Sequence, residues 1–277
     1  MPPLLPPLLL LLLLLLLQAV VVDGRARKLE IGGNYHWAAK IIGRNDPHNH
    51  SDAGNVHLAF EVGSRDLLDG NFLAKWYGCD VFSFEADAKN HRAMLSNNLD
   101  KRVRPVHSAV TSTDGTVSFF SVNQSRYNNT GMGSLMLLDF KTNRSPNDAD
   151  YNKSAADIQY EVRVPATRLD TFILKNGLRA PDLLCIDAQE AELAVLQSAG
   201  GFLGAVKYVV VEVTTAPQYS GGASLQMIHT FLTTGKHGDF TFVALRYQFG
   251  KGNIVFQYPE APTFGGADVL YKNRRLS

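Results

Sequence analysis

Short apolar runs alternate with helical patterns along most of the chain, and this alternation limits the folds that the chain can adopt. Runs at residues 56–62, 81–85 and 103–110 predict three strands, and "PDLLCIDA" and "VKYVVVEVT" predict two more. The last two are nearly continuous in hydrophobicity, which is typical of parallel strands that are buried on both faces. Helices are predicted where apolar residues recur every three or four positions, at residues 67–77, 89–99, 190–199 and 225–233. Leu169, Phe172 and Ile173 share a helical face as well, and Gly177 suits the end of that helix.

Strands that alternate with helices imply βαβ crossovers between parallel strands. The sequence therefore predicts an α/β fold, with a doubly wound, mostly parallel sheet that helices cover on both sides. "TSTDGTVSFFSV" predicts a β-hairpin with its turn at Asp114-Gly115, and "DFTFVALRYQFGKGNIVFQY" predicts an antiparallel hairpin near the C-terminus.

The first βαβ unit carries two glutamates, Glu61 and Glu85, each at the end of an apolar run. Gly63 follows the first run, where a tight turn and the close approach of a ligand both favour a residue without Cβ. Glu85 lies 22 residues further on. Because ligands bind beyond the carboxyl ends of the strands in such sheets, Glu85 is placed to accept hydrogen bonds from the hydroxyls of a bound ribose.

The residues after Gly63 indicate which adenosine cofactor fits. G-x-G-x-x-G and G-x-x-x-x-G-K-[ST] are both absent, and "GSRDLLDG" supplies Asp66 and Asp69, which disfavour a bound phosphate. S-adenosylmethionine carries no phosphate and has a positive sulfonium and an ammonium. We therefore expect Glu61, Gly63, Asp66 and Glu85 to contact S-adenosylmethionine.

Five motifs in fixed order, "FEVGSRD", "VFSFEAD", "VPATRLDTF", "LLCIDAQEAELAVLQSA" and "YVVVEV", resemble the FkbM-type S-adenosylmethionine-dependent methyltransferases over about residues 56–258. The resemblance implies a Rossmann-like methyltransferase fold and O-methylation of small molecules and sugars. It also implies cofactor contacts from Glu61, Gly63 and Glu85, and a place for Asp187 at the active-site end of a strand.

The chain departs from the family pattern at several positions. Glu61 stands where the family usually has aspartate, and Ala86 where it usually has proline. Leu67 and Glu190 stand where the family often has glycine. Two interpretations of Glu190 are open. Its carboxylate points to solvent and complements a helix dipole, or it turns into the pocket and impairs binding.

Transfer of a methyl group to a hydroxyl requires alignment of the reactants and removal of the hydroxyl proton. Asp187 is the candidate catalytic base, because it closes an apolar strand where burial raises the pKa of a carboxyl group. Glu212 and His107 are weaker candidates, since the strand continues past Glu212 and His107 lies inside the third run. Asp170 is interpreted as part of a capping box that begins at Thr167.

A metal site is not expected. His48, His50 and Asp52 alternate as metal ligands do, but Asn49 between them is a glycosylation sequon. The formal net charge of +1 also argues against a nucleic-acid partner.

The first residues form a separate region. Leu8 to Leu17 are ten consecutive leucines, which predict either a cleaved signal peptide or a single-pass membrane anchor at residues 1–26. Residues 27–55 are predicted to pack as a leader on a methyltransferase-like domain at residues 56–277, with a sequon-rich insertion at about 123–160. The five sequons, at Asn49, Asn123, Asn128, Asn143 and Asn152, favour the lumen of the secretory pathway or secretion. Membrane association is expected only if the first segment is uncleaved.

Cys79 and Cys185 are predicted to be free thiols. If the first strand separates them, two strand spacings of about 4.8 Å put them beyond the Cα separation of about 7 Å that a disulfide allows. The functions in view are therefore an O-methyltransferase for a sugar, glycan or small molecule, and a non-catalytic binding protein with a degenerate methyltransferase fold.

Overall fold

The computed structural model describes residues 34–43, 55–126, 130–139, 154–214, 217–234, 239–247, 255–256 and 266–276. Within these ranges the strands, in chain order, are β1 (Leu58–Val62), β2 (Asp80–Glu85), β3 (Val103–His107), β4 (Ala109–Val110), β5 (Gly115–Val122), β6 (Gln159–Thr167), β7 (Leu183–Ile186), β8 (Tyr208–Val213), β9 (Phe240–Tyr247), β10 (Val255–Phe256) and β11 (Ala267–Asn273). The α-helices are α1 (His36–Ile42), α2 (Leu68–Tyr77), α3 (Ala88–Asn97), α4 (Ala155–Ile158), α5 (Leu169–Lys175), α6 (Glu192–Ser198) and α7 (Leu225–Thr234). Short 3₁₀ helices lie at Thr130–Met132, Gly200–Ala205 and Arg274–Leu276.

Eight strands form the main sheet in the order β10-β9-β11-β8-β7-β1-β2-β3. The five strands from β8 to β3 are parallel to one another. Strand β11 is antiparallel to both β8 and β9, and β10 is antiparallel to β9. The chain builds β1, β2 and β3 in one direction and then returns to place β7 on the other side of β1. The prediction of a doubly wound, mostly parallel sheet with an antiparallel C-terminal part is confirmed.

Helices cover both faces of this sheet. One face of β1, β2 and β7 packs against α1 and α2 in a buried cluster that includes Ala59, Leu73, Val81 and Cys185. The opposite face packs against α5, α6 and α7 in the larger cluster. Every residue of β1 and β7 is buried, as expected for parallel strands that are covered on both faces.

The sequence predicted correctly where helix α3 begins, but not where helix α6 begins. Helix α3 begins as expected, because the carboxylate of Asp87 accepts hydrogen bonds from the backbone N–H groups of Lys89 and Asn90. Helix α6 begins at Glu192, two residues later than expected. Gln189 and Glu190 interrupt the helix start because both have left-handed backbone angles, with φ of 51° and 71°.

A second sheet corrects the prediction for residues 103–122. The expected third strand is split into β3 in the main sheet and β4 in a three-stranded sheet of order β4-β6-β5. Strand β6 lies between β4 and β5, so the expected hairpin at Asp114-Gly115 is wrong. Strand β5 pairs instead with β6 in antiparallel register from Gly115 to Val122.

Several expectations fall on residues outside the described ranges. These are the signal or anchor at residues 1–26, the sequence around His48 and His50, four of the five sequons, and the turn at Gly250 to Gly252. Of the expected insertion at about 123–160, residues 127–129 and 140–153 are outside them too. In the ranges that are described, no helix has the length and hydrophobicity needed to cross a bilayer.

Both cysteines are free, as predicted, and both are buried. Cys185 lies in β7, and Cys79 lies directly before β2. Strand β1 separates β7 from β2. The two thiols are therefore separated by one strand, as the sequence suggested.

Candidate active site

A cavity of about 360 Å³ lies at the carboxyl ends of β1, β2, β7 and β8. Its volume is within the range of about 300–1,000 Å³ that is typical of small-molecule sites. Strand order reverses between β1 and β7, the position where open α/β sheets bind their ligands. The lining includes carboxyl groups from Asp66, Asp69, Glu85, Asp187 and Glu212, and apolar groups from Phe84, Val110, Phe119, Met132 and Leu135.

Gly63 lies in the loop after β1, where it packs directly against the loop after β7. Its φ is 86°, and a Cβ built on it would lie 1.7 Å from the backbone oxygen of Asp187. The sequence attributed this glycine to a close approach of ligand. The structure shows a close approach of the loop after β7, so the absence of a Cβ allows β1 and β7 to end side by side.

Glu85 lies in the cavity wall at the end of β2, close to Gly63 as predicted. One carboxylate oxygen accepts the N–H of Arg65 at 2.8 Å, and the other accepts the N–H of Asp87 at 2.7 Å. Burial raises the pKa of Glu85 to about 7. The side chain is thus held rigidly at the cavity, and its contact with a ribose stays a prediction.

Asp66 and Asp69 occupy the first turn of α2 and the residues before it. The carboxylate of Asp66 accepts hydrogen bonds from the side chain of Arg65 and from the N–H of Leu68, so it partly serves to start the helix. Burial, aided by the charges of Asp66 and Asp187, raises the pKa of Asp69 to about 7. Asp69 was not predicted as a site residue, although it belongs to the acidic run that the sequence analysis singled out.

Glu61 does not lie in the cavity lining. Its carboxyl group accepts a hydrogen bond from the hydroxyl of Ser83 and faces Gly70 of α2, where a Cβ would come within 2.8 Å of it. Burial and the charge of Asp69 raise the pKa of Glu61 to about 8. Direct contact between Glu61 and a ligand stays a prediction that its position outside the lining does not favour.

Asp187 and Glu212 face the cavity together. The side-chain amide of Gln189 donates to an oxygen of Asp187 at 2.8 Å and to an oxygen of Glu212 at 3.0 Å. Burial and the neighbouring Asp187 hold the pKa of Glu212 well above its usual range. The two carboxyl groups therefore form a pair that the sequence treated as separate candidates, and Gln189 is a positioning residue that no sequence pattern indicated.

Glu190 differs from both interpretations that the sequence left open. Its side chain is buried and does not line the main cavity, and its carboxylate accepts the N–H groups of Gln218 and Tyr219. Glu190 therefore ties the loop before α7 to the loop after β7. Leu67 and Glu190 both have left-handed backbone angles, with φ of 69° and 71°, which explains why glycine suits these positions in the family.

Two other candidate residues lie outside the cavity lining. His107 ends β3, is half-buried, and stacks on His91 with the ring centroids 4.9 Å apart. The capping box expected at Asp170 is absent, because α5 has Arg168 as its N-cap and no side-chain cap. Asp170 forms an ion pair with Arg168 at 2.5 Å, so it stays structural as expected. In the part of the chain that the structure describes, no three His, Cys, Asp or Glu side chains are grouped as metal ligands would be.

Comparison with known proteins gives one family. The model described as "Methyltransferase FkbM domain" matches residues 61–242, more than half of the chain. A search of curated proteins gives no match.

Solved structures give distant likenesses. TrmK of M. capricolum in complex with S-adenosyl-homocysteine has 7% identity and a TM-score of 0.44, over 90% of this chain and 70% of that one. Precorrin-6y C5,15-methyltransferase from Geobacter metallireducens has 9% identity and a TM-score of 0.36, over 78% of each chain. An rRNA methylase from Streptococcus thermophilus has 7% identity and a TM-score of 0.39, over 79% of this chain and 87% of that one. Identities this low carry no information about a substrate.

Proposed function

Because the chain belongs to the FkbM methyltransferase family, we propose that it is an S-adenosylmethionine-dependent O-methyltransferase. The proposed acceptor is a hydroxyl group of a sugar, a glycan or a small molecule. The observation that carries the proposal is the cavity at the β1–β7 reversal, where Gly63, Glu85 and Asp187 meet.

The charge of the cavity fits this cofactor. Five carboxyl groups line it, and the one cation among the described lining residues is Arg65, which already pairs with Asp66 at 2.8 Å. The raised pKa values of Asp69, Glu85 and Glu212 reduce the negative charge near pH 7, but a lining rich in carboxyl oxygens offers a phosphate no positive partner, whereas a sulfonium and an ammonium find acceptors there. The apolar lining residues offer a surface for an adenine ring.

Each residue has a definite role under this proposal. Glu85 is held by two backbone N–H groups and accepts hydrogen bonds from ribose hydroxyls. Asp187 takes up the proton of the acceptor hydroxyl, and Gln189 fixes the direction of its carboxylate. When bound, S-adenosylmethionine supplies an electrophilic methyl group. Met132 and Leu135 contribute apolar surface to the cavity lining.

The alternative function is a binding protein that has lost transfer. It was suggested by Leu67 and Glu190, which replace glycines of the family. Neither residue lies in the cavity lining, and Leu67 is fully buried. The two replacements therefore leave the space for a ligand open and give no reason to expect a loss of transfer.

We extend the proposal to the lumen of the secretory pathway or to secretion, with a membrane-anchored protein as the alternative. The ten leucines and the five sequons support this location. Asn123 is the described sequon residue, and it is half-exposed at the end of β5, where its side-chain oxygen accepts the hydroxyl of Ser125 at 2.7 Å. Enzymatic removal of N-glycans from protein made in a secreting cell should lower its mass. An unchanged mass would remove the support from the sequons.

Calorimetric titration of the folded protein with S-adenosylmethionine tests the function. We expect saturable binding, weakened by about 1–3 kcal/mol in Glu85→Gln, because a hydrogen bond to a charged group contributes about that much. Glu161→Gln is the matched control, since Glu161 is exposed on β6 outside the cavity lining. No binding to the folded wild type would refute the proposal.

Transfer of a labelled methyl group to a panel of glycans and small hydroxy compounds then separates the enzyme from the binding protein. Binding without transfer to any acceptor of the panel would favour the alternative.

A further inference from the structure

Three segments of the chain meet beside the main cavity. They are the loop after β7, residues 130–139, and residues 217–222 before α7. The carboxylate of Glu190 accepts the N–H of Tyr219 at 3.0 Å, and Leu138 and Tyr219 form an antiparallel bridge. The backbone of Tyr219 is therefore anchored to both of the other segments.

The side chain of Tyr219 is buried between these segments. It packs in a small apolar cluster with Val122, Met132, Leu138 and Ile158. Burial and the charges of Glu190 and Glu212 hold the pKa of Tyr219 well above its usual range, so the phenol keeps its proton. Tyr219 does not line the main cavity, but it lines a smaller one of about 70 Å³ that shares Gln189 and Glu212 with it. Tyr219 can therefore act on the main cavity only through its neighbours.

The hydroxyl of Tyr219 and the carboxyl pair lie at opposite ends of the Gln189 amide. The hydroxyl oxygen is 3.1 Å from Oε1 of Gln189 and 3.2 Å from the backbone oxygen of Met132. At the other end, Nε2 of Gln189 donates to Asp187 at 2.8 Å and to Glu212 at 3.0 Å. An amide nitrogen carries two protons and the amide oxygen carries none. Both carboxyl groups therefore receive a donor only when Oε1 faces Tyr219.

The proton of the phenol favours this orientation of the amide. With Oε1 toward Tyr219, the amide oxygen accepts the phenol proton. With the amide reversed, Oε1 would face the two carboxyl groups, and an ionised carboxylate has no proton to donate to it. Without the hydroxyl, Oε1 loses the donor that holds it in place and the amide can turn.

We propose that Tyr219 is a positioning residue, which acts through Gln189 to keep two N–H donors directed at Asp187 and Glu212 and so favours the ionised form of the pair. This inference rests on the proposed function, in which Asp187 takes up the proton of the acceptor hydroxyl. It adds a residue that touches neither the acceptor nor the cofactor.

Other charged or titratable groups also act on the pair. They come from the segments around the cavity and are Tyr35, Arg65, Asp69, Glu192 and Asp268, the last in an ion pair with Arg246 at 2.8 Å. None of these groups changes in the test below. A difference in titration between variants therefore reports the donors of Gln189.

NMR of the ligand-free protein, with ¹³C in the side-chain carboxyl groups of aspartate and glutamate, tests the inference. The signals of the pair are those that disappear in Asp187→Asn and Glu212→Gln. Because neighbouring carboxyl groups titrate as a unit, the apparent midpoints of the pair are compared between variants. We expect Tyr219→Phe to raise a midpoint by about one pH unit, since a lost hydrogen bond to a charged group corresponds to about that shift. Gln189→Leu should raise it at least as much, and adding Tyr219→Phe to Gln189→Leu should change nothing further.

Tyr160→Phe is the matched control. The hydroxyl of Tyr160 accepts a hydrogen bond from Ser121 at 3.3 Å, but Tyr160 lies on β6 and lines neither cavity. This variant loses a phenol oxygen without affecting Gln189, so the midpoints of the pair should stay at their wild-type values.

Each outcome decides the question. A higher midpoint in Tyr219→Phe that is absent from Tyr160→Phe and from the Gln189→Leu background supports the inference. Midpoints that do not rise in Tyr219→Phe, an equal rise in the two phenylalanine variants, or a further rise in the Gln189→Leu background overturns it while the proposed function stands. Absence of S-adenosylmethionine binding to the wild type overturns the proposed function itself, whatever the titrations show.

Discussion

Replacement of Gly63 by alanine tests how β1 and β7 meet. The new Cβ would lie 1.7 Å from the backbone oxygen of Asp187, so the two loops must move apart by at least about 1 Å. That movement strains the hydrogen bonds from the Asp187 N–H to Val62 and from the Gly63 N–H to Phe84.

The magnitude has two parts. A left-handed backbone angle costs an L-residue about 1–2 kcal/mol. Weakening one or two buried hydrogen bonds costs about 1–3 kcal/mol more. We therefore expect Gly63→Ala to lower the free energy of unfolding by about 2–5 kcal/mol.

Gly221→Ala separates the two parts. Gly221 has a φ of 81°, close to the 86° of Gly63, but nothing lies within 4 Å of the position that its Cβ would take. It should cost about 1–2 kcal/mol, the backbone part alone. Urea unfolding of both variants, with unchanged m-values, measures the difference. A Gly63→Ala variant no less stable than Gly221→Ala would refute the reasoning.

Two further predictions concern buried carboxyl groups. Because the pKa of Glu85 is raised to about 7, folding favours the neutral form of this carboxyl group. The stabilisation of the folded protein by the neutral form is complete below about pH 4.3 and is lost as the pH rises through about 7. The free energy of unfolding of the ligand-free protein should thus fall from about pH 5 to 7. Glu85→Gln should reduce the slope of this free energy against pH by up to about 1.4 kcal/mol per pH unit, whereas Glu161→Gln should leave the slope unchanged. Equal slopes for the two variants in urea unfolding would contradict this prediction. Glu190→Gly removes the strain of a left-handed backbone angle at a glutamate, but it also removes the carboxylate that accepts the N–H groups of Gln218 and Tyr219. We therefore expect the free energy of unfolding to fall by about 1–3 kcal/mol and the cofactor affinity to stay within about twofold of wild type. A more stable Glu190→Gly variant would show that the backbone strain exceeds the hydrogen bonds.

The elements around the cavity were predictable because local patterns determine them. The buried run before Gly63, the helix after it and the placement of Glu85 all follow from periodicity within about 30 residues. Asp87 was recognisable as a cap for the same reason. These features fix the carboxyl edge of the sheet, where the cavity lies.

The parts that sequence analysis missed depend on contacts between distant residues. Strand β4 leaves the main sheet because β6 supplies its partner residues, Ala166 and Thr167, 57 positions later in the chain. The burial of Glu190 depends on two N–H groups of the loop before α7. No periodicity in the sequence encodes such pairings. Gln189 and Glu190 have left-handed backbone angles, but neither is a glycine, so nothing in the sequence signalled the turn there.

The position of β11 has a consequence for the order in which the protein can form. Strand β11 separates β8 from β9, and Tyr271 at its centre is fully buried. During synthesis, β9 has no place beside β8 until the ribosome has also made residues 267–273. The nascent chain therefore carries an open sheet edge at β8 for some sixty residues, and during that time the edge is open to pairing with a chaperone or with a second nascent copy.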